Sequence, residues 1–122
     1  MCECCHDKEG AAPAVLRWTD GPAYLPLLTG SPQTCGMRCG RVDLKSGEEV
    51  GAHNTGAHEE TLVIVEGAGV AELAATPTRI EAGQVLYVPP ETPHNIRNVD
   101  SPRLRYLFIV APVASAARPS AP

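Results

Sequence analysis

Residues 47–67 read GEEVGAHNTGAHEETLVIVEG, which places histidines and glutamates directly before an unbroken apolar run. Side chains alternate between the two faces of a β-strand, so residues two apart point the same way. In a strand that begins at His58, Glu60 shares the face of His58, whereas Glu59 points to the opposite, solvent-facing side. The intervening NTGA turn lets two antiparallel strands bring His53 against His58 and Glu60.

Two interpretations of this stretch stay open when it is taken alone. Imidazoles combined with a carboxylate form a donor set that suits Zn, Fe, Mn, Ni or Cu. The plainer interpretation is a group of hydrophilic residues at a loop edge. A second ligand cluster elsewhere in the chain would favour the metal site.

Outward from this stretch, short β-rich runs alternate with Gly, Pro, Asn and Asp turn signals. About eight strands at this spacing are typical of an all-β sandwich or barrel. The predicted strands lie in TCGMRCGRVDL, EVGAH, ETLVIVE, GVAEL, TRI, QVLYV, HNIRNV and RLRYLFIV. No segment carries a helical apolar stripe, so a parallel βαβ architecture is excluded.

The runs LVIV and LRYLFIV are apolar on both alternating faces. Strands of this kind are covered on both sides, either by a second sheet or by another subunit. We therefore expect a homodimer.

The chain of 122 residues fits one domain that buries roughly two-thirds of the unfolded chain's surface. Residues 1–12 and 114–122 are predicted to be disordered tails because their polar or Ala/Ser/Pro composition cannot form a core. The folded barrel should span residues 13–113. The Cys2, Cys4, Cys5 and His6 cluster in the first tail resembles a soft-metal site, but no second cluster at finger-like spacing accompanies it.

Charge and hydropathy exclude several classes of partner. The formal net charge is −4, and no basic stripe with interleaved aromatics suggests nucleic acid. No apolar run approaches the roughly 18 residues of a membrane helix, and the first ten residues do not resemble a signal peptide. Five cysteines, an odd number, argue against a disulfide framework. We expect a soluble, cytoplasmic protein.

A second segment, residues 83–98, reads GQVLYVPPETPHNIRN and supplies another histidine after a Pro-rich turn. The two segments together resemble the cupin superfamily. Its first motif is Gly, five residues, His-x-His, three or four residues, Glu, six residues and Gly; its second is Gly, five residues, Pro-x-Gly, two residues, His, three residues and Asn. The matching positions are Gly47, His53, Glu60, Gly67, Gly83, Pro89, His94 and Asn98.

The resemblance implies an antiparallel jelly-roll β-barrel, the double-stranded β-helix of cupins, with one divalent transition metal in its cavity. Thr55 occupies the position of the family's second histidine, and Glu91 that of a turn glycine. We expect another backbone geometry to serve at Glu91.

His58 is the natural replacement for the missing histidine, since it shares a strand face with Glu60. The ligand set implied by the resemblance is then His53, His58, Glu60 and His94. The alternative is that the metal is lost, or is bound weakly by His53, Glu60 and His94 alone. Thr55 and Asn98 are candidates for orienting the histidines by hydrogen bonds, although turn and strand chemistry explains Thr55 equally well.

The cupin fold hosts many unrelated activities, so two functions stay open. The first is a metal-dependent enzyme of the dioxygenase, isomerase or lyase type that acts on a small polar molecule. The second is a non-catalytic module that binds or senses a small ligand. Strand tyrosines and arginines are candidate substrate contacts, but side chains of these types more often pack or face solvent. They are Tyr87, Tyr106, Arg38, Arg41, Arg97 and Arg105.

Cys35, Met37 and Cys39 alternate along one face of the predicted strand, whereas Val42 and Leu44 have the opposite parity. Either Gly40 marks a β-bulge that resets the register, or one of the two sets faces away from the cavity. A sulfur-lined cavity would favour a soft or redox-active metal. Packing of sulfur side chains in a core that has few aromatics is the plainer interpretation.

Overall fold

The computed structural model describes residues 11–114, and every regular element in this range is a β-strand. The predicted tails lie almost wholly outside these residues, as does the cysteine cluster near the N-terminus. The nine strands are β1 (Tyr24–Thr29), β2 (Arg38–Lys45), β3 (His53–Asn54), β4 (His58–Glu66), β5 (Ala68–Leu73), β6 (Thr76–Glu81), β7 (Val85–Val88), β8 (Pro93–Arg97) and β9 (Arg103–Pro112).

The strands form two antiparallel sheets, as the alternation of β-rich runs and turns predicts. The larger sheet has the order β1-β2-β9-β4-β7, and the smaller has the order β3-β8-β5-β6. The core lies between them, with Leu62, Ile64 and Leu104 from the larger sheet and Ala71 and Ile96 from the smaller all at most 1% exposed. This two-layer arrangement is the expected all-β, jelly-roll architecture.

Strand β1 is the element that the sequence pattern does not predict. Its run YLPLLT contains Pro26, and proline within a run argues against a central strand. The structure places β1 at the edge of the larger sheet, where its register against β2 shifts between Pro26 and Leu28. An edge position and an irregular register are the conditions under which a strand tolerates proline.

The expected alternation of Cys35, Met37 and Cys39 along one strand face does not occur, because Cys35 and Met37 precede β2 and only Cys39 lies on it. Pairing with β9 continues without a shift from Arg38 to Lys45, so Gly40 is not a bulge. Val42 lines the cavity between the sheets, and Cys39, of opposite parity, therefore faces outward. Arg41 is on the outer face too, yet it is fully buried because the guanidinium donates to the carbonyls of Thr19 and Pro22.

Strands β4, β7 and β9 also carry apolar side chains on the outward face of the larger sheet. Val65, Val85 and Tyr87 are each at least half exposed there. The sequence pattern that predicts a homodimer is thus present on this surface, and the dimer stays a prediction. No helix in residues 11–114 has the length and hydropathy needed to cross a membrane.

The turn between β4 and β5 depends on a close backbone contact at Gly67. Its φ is +83°, and a Cβ atom added there would lie 1.8 Å from the carbonyl oxygen of Arg103. Gly47 has nearly the same φ, +87°, but a Cβ atom added there would meet nothing within 4 Å. An alanine at either position would strain the backbone, but only an alanine at Gly67 would also overlap with neighbouring atoms.

We expect Gly67→Ala to lower the free energy of unfolding by about 3 kcal/mol or more, because strand β9 has to move away from the new methyl group. Gly47→Ala, which introduces only the left-handed strain, should cost about 1–2 kcal/mol. Urea unfolding followed by circular dichroism measures both. Equal losses in the two variants would contradict the packing at Gly67.

Candidate metal centre

Three predicted ligands, His53, Glu60 and His94, converge between the two sheets. Their ligand atoms, one from each side chain, all lie within 4.8 Å of one another. His53 of β3 and His94 of β8 are direct cross-strand partners, with ring centroids 4.0 Å apart and planes inclined by 60°. Glu60 comes from β4 of the facing sheet, so the cluster forms only when the two sheets pack together.

Both histidines are oriented by backbone carbonyl groups of their own loops. The Nδ1 atom of His53 lies 2.9 Å from the Gly51 carbonyl oxygen, and Nδ1 of His94 lies 2.9 Å from that of Thr92. A carbonyl oxygen accepts hydrogen bonds only, so each Nδ1 carries the proton. In the neutral rings the Nε2 lone pairs are left for another partner, which is the usual arrangement of metal-ligating histidines.

Nε2 of His94 is buried and has no aligned hydrogen-bond partner in the described part of the chain. It lies 3.1 Å from Oε1 of Glu60, and the two side chains are 1% and 12% exposed. The Glu60 carboxylate raises the pKa of His94, against the effect of burial, and the Thr92 carbonyl group adds to the rise. A nitrogen lone pair and a carboxylate oxygen at this distance repel unless a proton or a metal cation lies between them, so the donor set fits a divalent metal.

His58 does not join this cluster. It shares the parity of Glu60 on β4, as predicted, and pairs with Pro112 of β9. The structure nevertheless groups His53, Glu60 and His94 without it among the described residues, and His58 does not line the cavity next to them. Glu59 faces the other side of the sheet, where its carboxylate accepts a hydrogen bond from Tyr87.

Thr55, the residue at the missing histidine's position, ties two loops together. The residue is 8% exposed, and its hydroxyl donates to the Pro89 carbonyl oxygen at 2.7 Å. The same hydroxyl accepts from the backbone N–H of Thr92 at 3.0 Å. Because the carbonyl group of Thr92 orients His94, Thr55 acts on that ligand through one intervening residue.

Asn98, the other residue expected to orient a histidine, supports a turn. Its amide group donates to the carbonyl oxygens of Leu44 and Ser101, and its oxygen accepts from the backbone N–H of Ser101. These bonds hold the β8–β9 connection against β2. In the described part of the chain, the Asn98 side chain makes no hydrogen bond to a histidine.

Asn95 is a supporting residue that the sequence pattern does not single out. Its carbonyl oxygen accepts from the Gly51 N–H at 2.8 Å, and its amide group donates to Glu49 at 2.9 Å. Gly51 in turn orients His53. Strand parity could have indicated this role. Asn95 directly follows His94 on β8, so its side chain lies on the opposite face of the strand, toward the loop that precedes β3.

Glu91 corrects one expectation about the second motif. The expected change of backbone geometry does not occur, because Glu91 has a φ of +54°, within the left-handed region that a glycine would adopt. Its N–H donates to the Gly56 carbonyl oxygen at 2.9 Å. The turn shape is therefore retained despite the side chain.

A cavity of about 240 Å³ adjoins the three ligands. Apolar residues of both sheets form most of its wall, including Val42, Leu62 and Ile96. Tyr106 also lines it, and burial together with the negative charge of Glu60 raises the pKa of its hydroxyl group. The hydroxyl therefore stays protonated and is a hydrogen-bond donor next to the candidate ligands.

Comparisons with solved structures agree with this architecture. A cupin family protein from Methanocaldococcus jannaschii with a double-stranded β-helix fold is 20% identical, with a TM-score of 0.70, and the alignment covers 82% of this chain and 91% of that one. A predicted oxalate decarboxylase from Thermotoga maritima is 19% identical, with a TM-score of 0.64 and coverage of 82% and 100%. The Cnp3 cupin domain of Schizosaccharomyces pombe is 20% identical, with a TM-score of 0.67; the alignment covers 74% of this chain but only 64% of that one.

At these identities the structural likenesses establish the fold alone. No curated protein matches the sequence. A family model described as the cupin domain matches residues 40–110, which is more than half of the chain and includes all three clustered ligands. This protein therefore belongs to the cupin domain family.

Proposed function

We propose that the protein binds one divalent transition metal through His53, Glu60 and His94 and is a metal-dependent enzyme that acts on a small molecule. The observation that carries the proposal is the buried Nε2 atom of His94, which lies 3.1 Å from the Glu60 carboxylate without an aligned hydrogen bond. Leaving such a pair without a cation or proton costs free energy. Iron, manganese, nickel, zinc and copper all suit this donor set.

Three protein ligands favour catalysis over a structural role. Structural metal sites are closed by protein ligands, whereas catalytic sites keep a position for substrate or water. A metal held here would supply a Lewis acid for an oxygen-containing substrate, or a redox centre if it is iron or copper. The chain's own groups would position that substrate: the apolar residues would pack against its body, and the Tyr106 hydroxyl would be available to donate a hydrogen bond.

Dioxygenase, isomerase and lyase chemistry all fit a metal with open positions beside a small cavity. The Thermotoga maritima neighbour is described as a predicted oxalate decarboxylase, which is a lyase. The alternative is a non-catalytic module that binds a small ligand, and the apolar wall of the cavity favours it. Metal content separates the two, since the alternative needs no metal.

Elemental analysis of protein purified without a metal-affinity tag tests the metal site. Reconstituted wild-type protein should carry close to one equivalent of metal, and His53→Ala or His94→Ala should each abolish most of it, because each removes one of three ligands. Circular dichroism checks that the variants fold. Wild-type protein with less than about a tenth of an equivalent after reconstitution would contradict the proposal.

His58→Ala decides between the two ligand sets. We expect it to retain the wild-type metal content, because His58 lies outside the cluster of described ligands. It is also a matched control for the other histidine variants. A loss as severe as that of His53→Ala would instead make His58 a fourth ligand, as the family resemblance implies.

Thr55→Val should weaken metal binding by about 10- to 100-fold, the usual effect of removing a group that supports a ligand. The change deletes the acceptor for the Thr92 N–H and so loosens the residue whose carbonyl group orients His94, although the backbone N–H of residue 55 still donates to that carbonyl group. Titration of zinc against a chelator of known affinity measures it. Thr61→Val, on the outward face of β4, is the control and should leave the affinity unchanged; equal affinities in the two variants would contradict this role of Thr55.

A further inference from the structure

Arg38 differs from the other arginines in the strands because its guanidinium has no protein partner in the described part of the chain. The others each lie within 4.0 Å of a carboxylate or donate to backbone carbonyl groups. They are Arg41, Arg79, Arg97, Arg103 and Arg105. The exposed Arg38 side chain lines the cavity and is the one permanently cationic side chain among the described residues that do so.

The sheet register places Arg38 in one cross-strand row with a metal ligand. Arg38 pairs with Val110 of β9, and Val110 pairs on its other side with Glu60 of β4. All three line the same cavity. Two strand spacings put the Cα atoms of Arg38 and Glu60 roughly 10 Å apart, with the Val110 side chain between them. The positively charged Arg38 side chain therefore lies on one side of the cavity, and the three candidate ligands lie on the other.

The wall between these two polar ends is apolar and partly aromatic. The Phe108 ring lies over Gly40, where a Cβ atom would come within 2.7 Å of it, and it stacks on Tyr24 at 5.7 Å with an interplanar angle of 13°. Both rings line the cavity. Its volume of about 240 Å³ is below the roughly 300–1,000 Å³ that is typical of pockets for drug-sized ligands, so the occupant is small.

We propose that Arg38 is a carboxylate-binding residue and that the cavity takes a small organic carboxylate whose apolar, planar body lies against Phe108 and Val110. Guanidinium groups bind carboxylates through paired, charge-assisted hydrogen bonds. The body of such a ligand would extend from Arg38 toward His53, Glu60 and His94. The position of the far end rests on the proposed metal site, whereas the contact with Arg38 does not.

Benzoate is a suitable probe, and its neutral analogue benzamide is the matched control ligand. Isothermal titration calorimetry should detect benzoate binding to metal-free protein, prepared with a chelator, and to metal-loaded protein. Arg38→Gln should weaken benzoate binding to the metal-free protein at least about tenfold. Arg79→Gln, which removes the same charge from an exposed position outside the cavity, should leave it unchanged.

Benzamide should bind wild-type protein more weakly than benzoate, and Arg38→Gln should not weaken it further. The proposal is overturned if benzoate does not bind at millimolar concentration, if benzamide binds as tightly, or if the Arg38→Gln affinity stays within about twofold of wild type. Thermal unfolding checks that both variants fold. Because the decisive comparison uses metal-free protein, failure of the metal site leaves this result interpretable, and failure here leaves the metal content unaffected.

Discussion

The proposed metal site depends on the contact between the His94 imidazole and the Glu60 carboxylate. The two atoms lie 3.1 Å apart between two packed sheets, and neither side chain has much contact with solvent. A protein gains nothing from burying such a pair without something positive between them. The strand order brings Glu60 from the larger sheet opposite His53 and His94 from the smaller one, so the fold itself assembles the donor set.

Backbone groups, rather than charged neighbours, determine which ring nitrogens face the cluster. Carbonyl oxygens of Gly51 and Thr92 accept from the Nδ1 atoms, and two side chains hold those loops in place. Thr55 binds the loop that orients His94, and Asn95 binds the loop that orients His53. At position 55, where the family motif has a histidine, this chain has a threonine that holds the loop orienting the candidate ligand His94.

Much of this arrangement is predictable from the sequence, because strand parity and motif spacing are strong constraints. Strand parity distinguishes Glu59 from Glu60, and the two cupin-like motifs contain the three candidate ligands that converge, His53, Glu60 and His94. Parity does not give distance along a strand, however. His58 shares the face of Glu60 but lies roughly 6–7 Å further along β4, so it points the same way without reaching the same cluster.

Other features depend on tertiary contacts that no local pattern carries. The sequence pattern does not predict strand β1, because Pro26 is tolerated only at a sheet edge or an irregularity and the sequence does not reveal which strand is at the edge. The sequence does not distinguish Arg38 from the other strand arginines. Only the hydrogen bonds and ion pairs of the folded chain do so. The other strand arginines are paired with carboxylates or carbonyl groups, whereas Arg38 lines the cavity.

Metal binding by His53, Glu60 and His94 is tested most directly by anomalous diffraction from crystals of metal-loaded protein, recorded on both sides of the absorption edge of the metal. We expect one peak per chain, about 2.0–2.2 Å from Nε2 of His53, Nε2 of His94 and a carboxylate oxygen of Glu60. A peak bound elsewhere, or coordination through Nδ1 with the carbonyl contacts broken, would contradict this expectation.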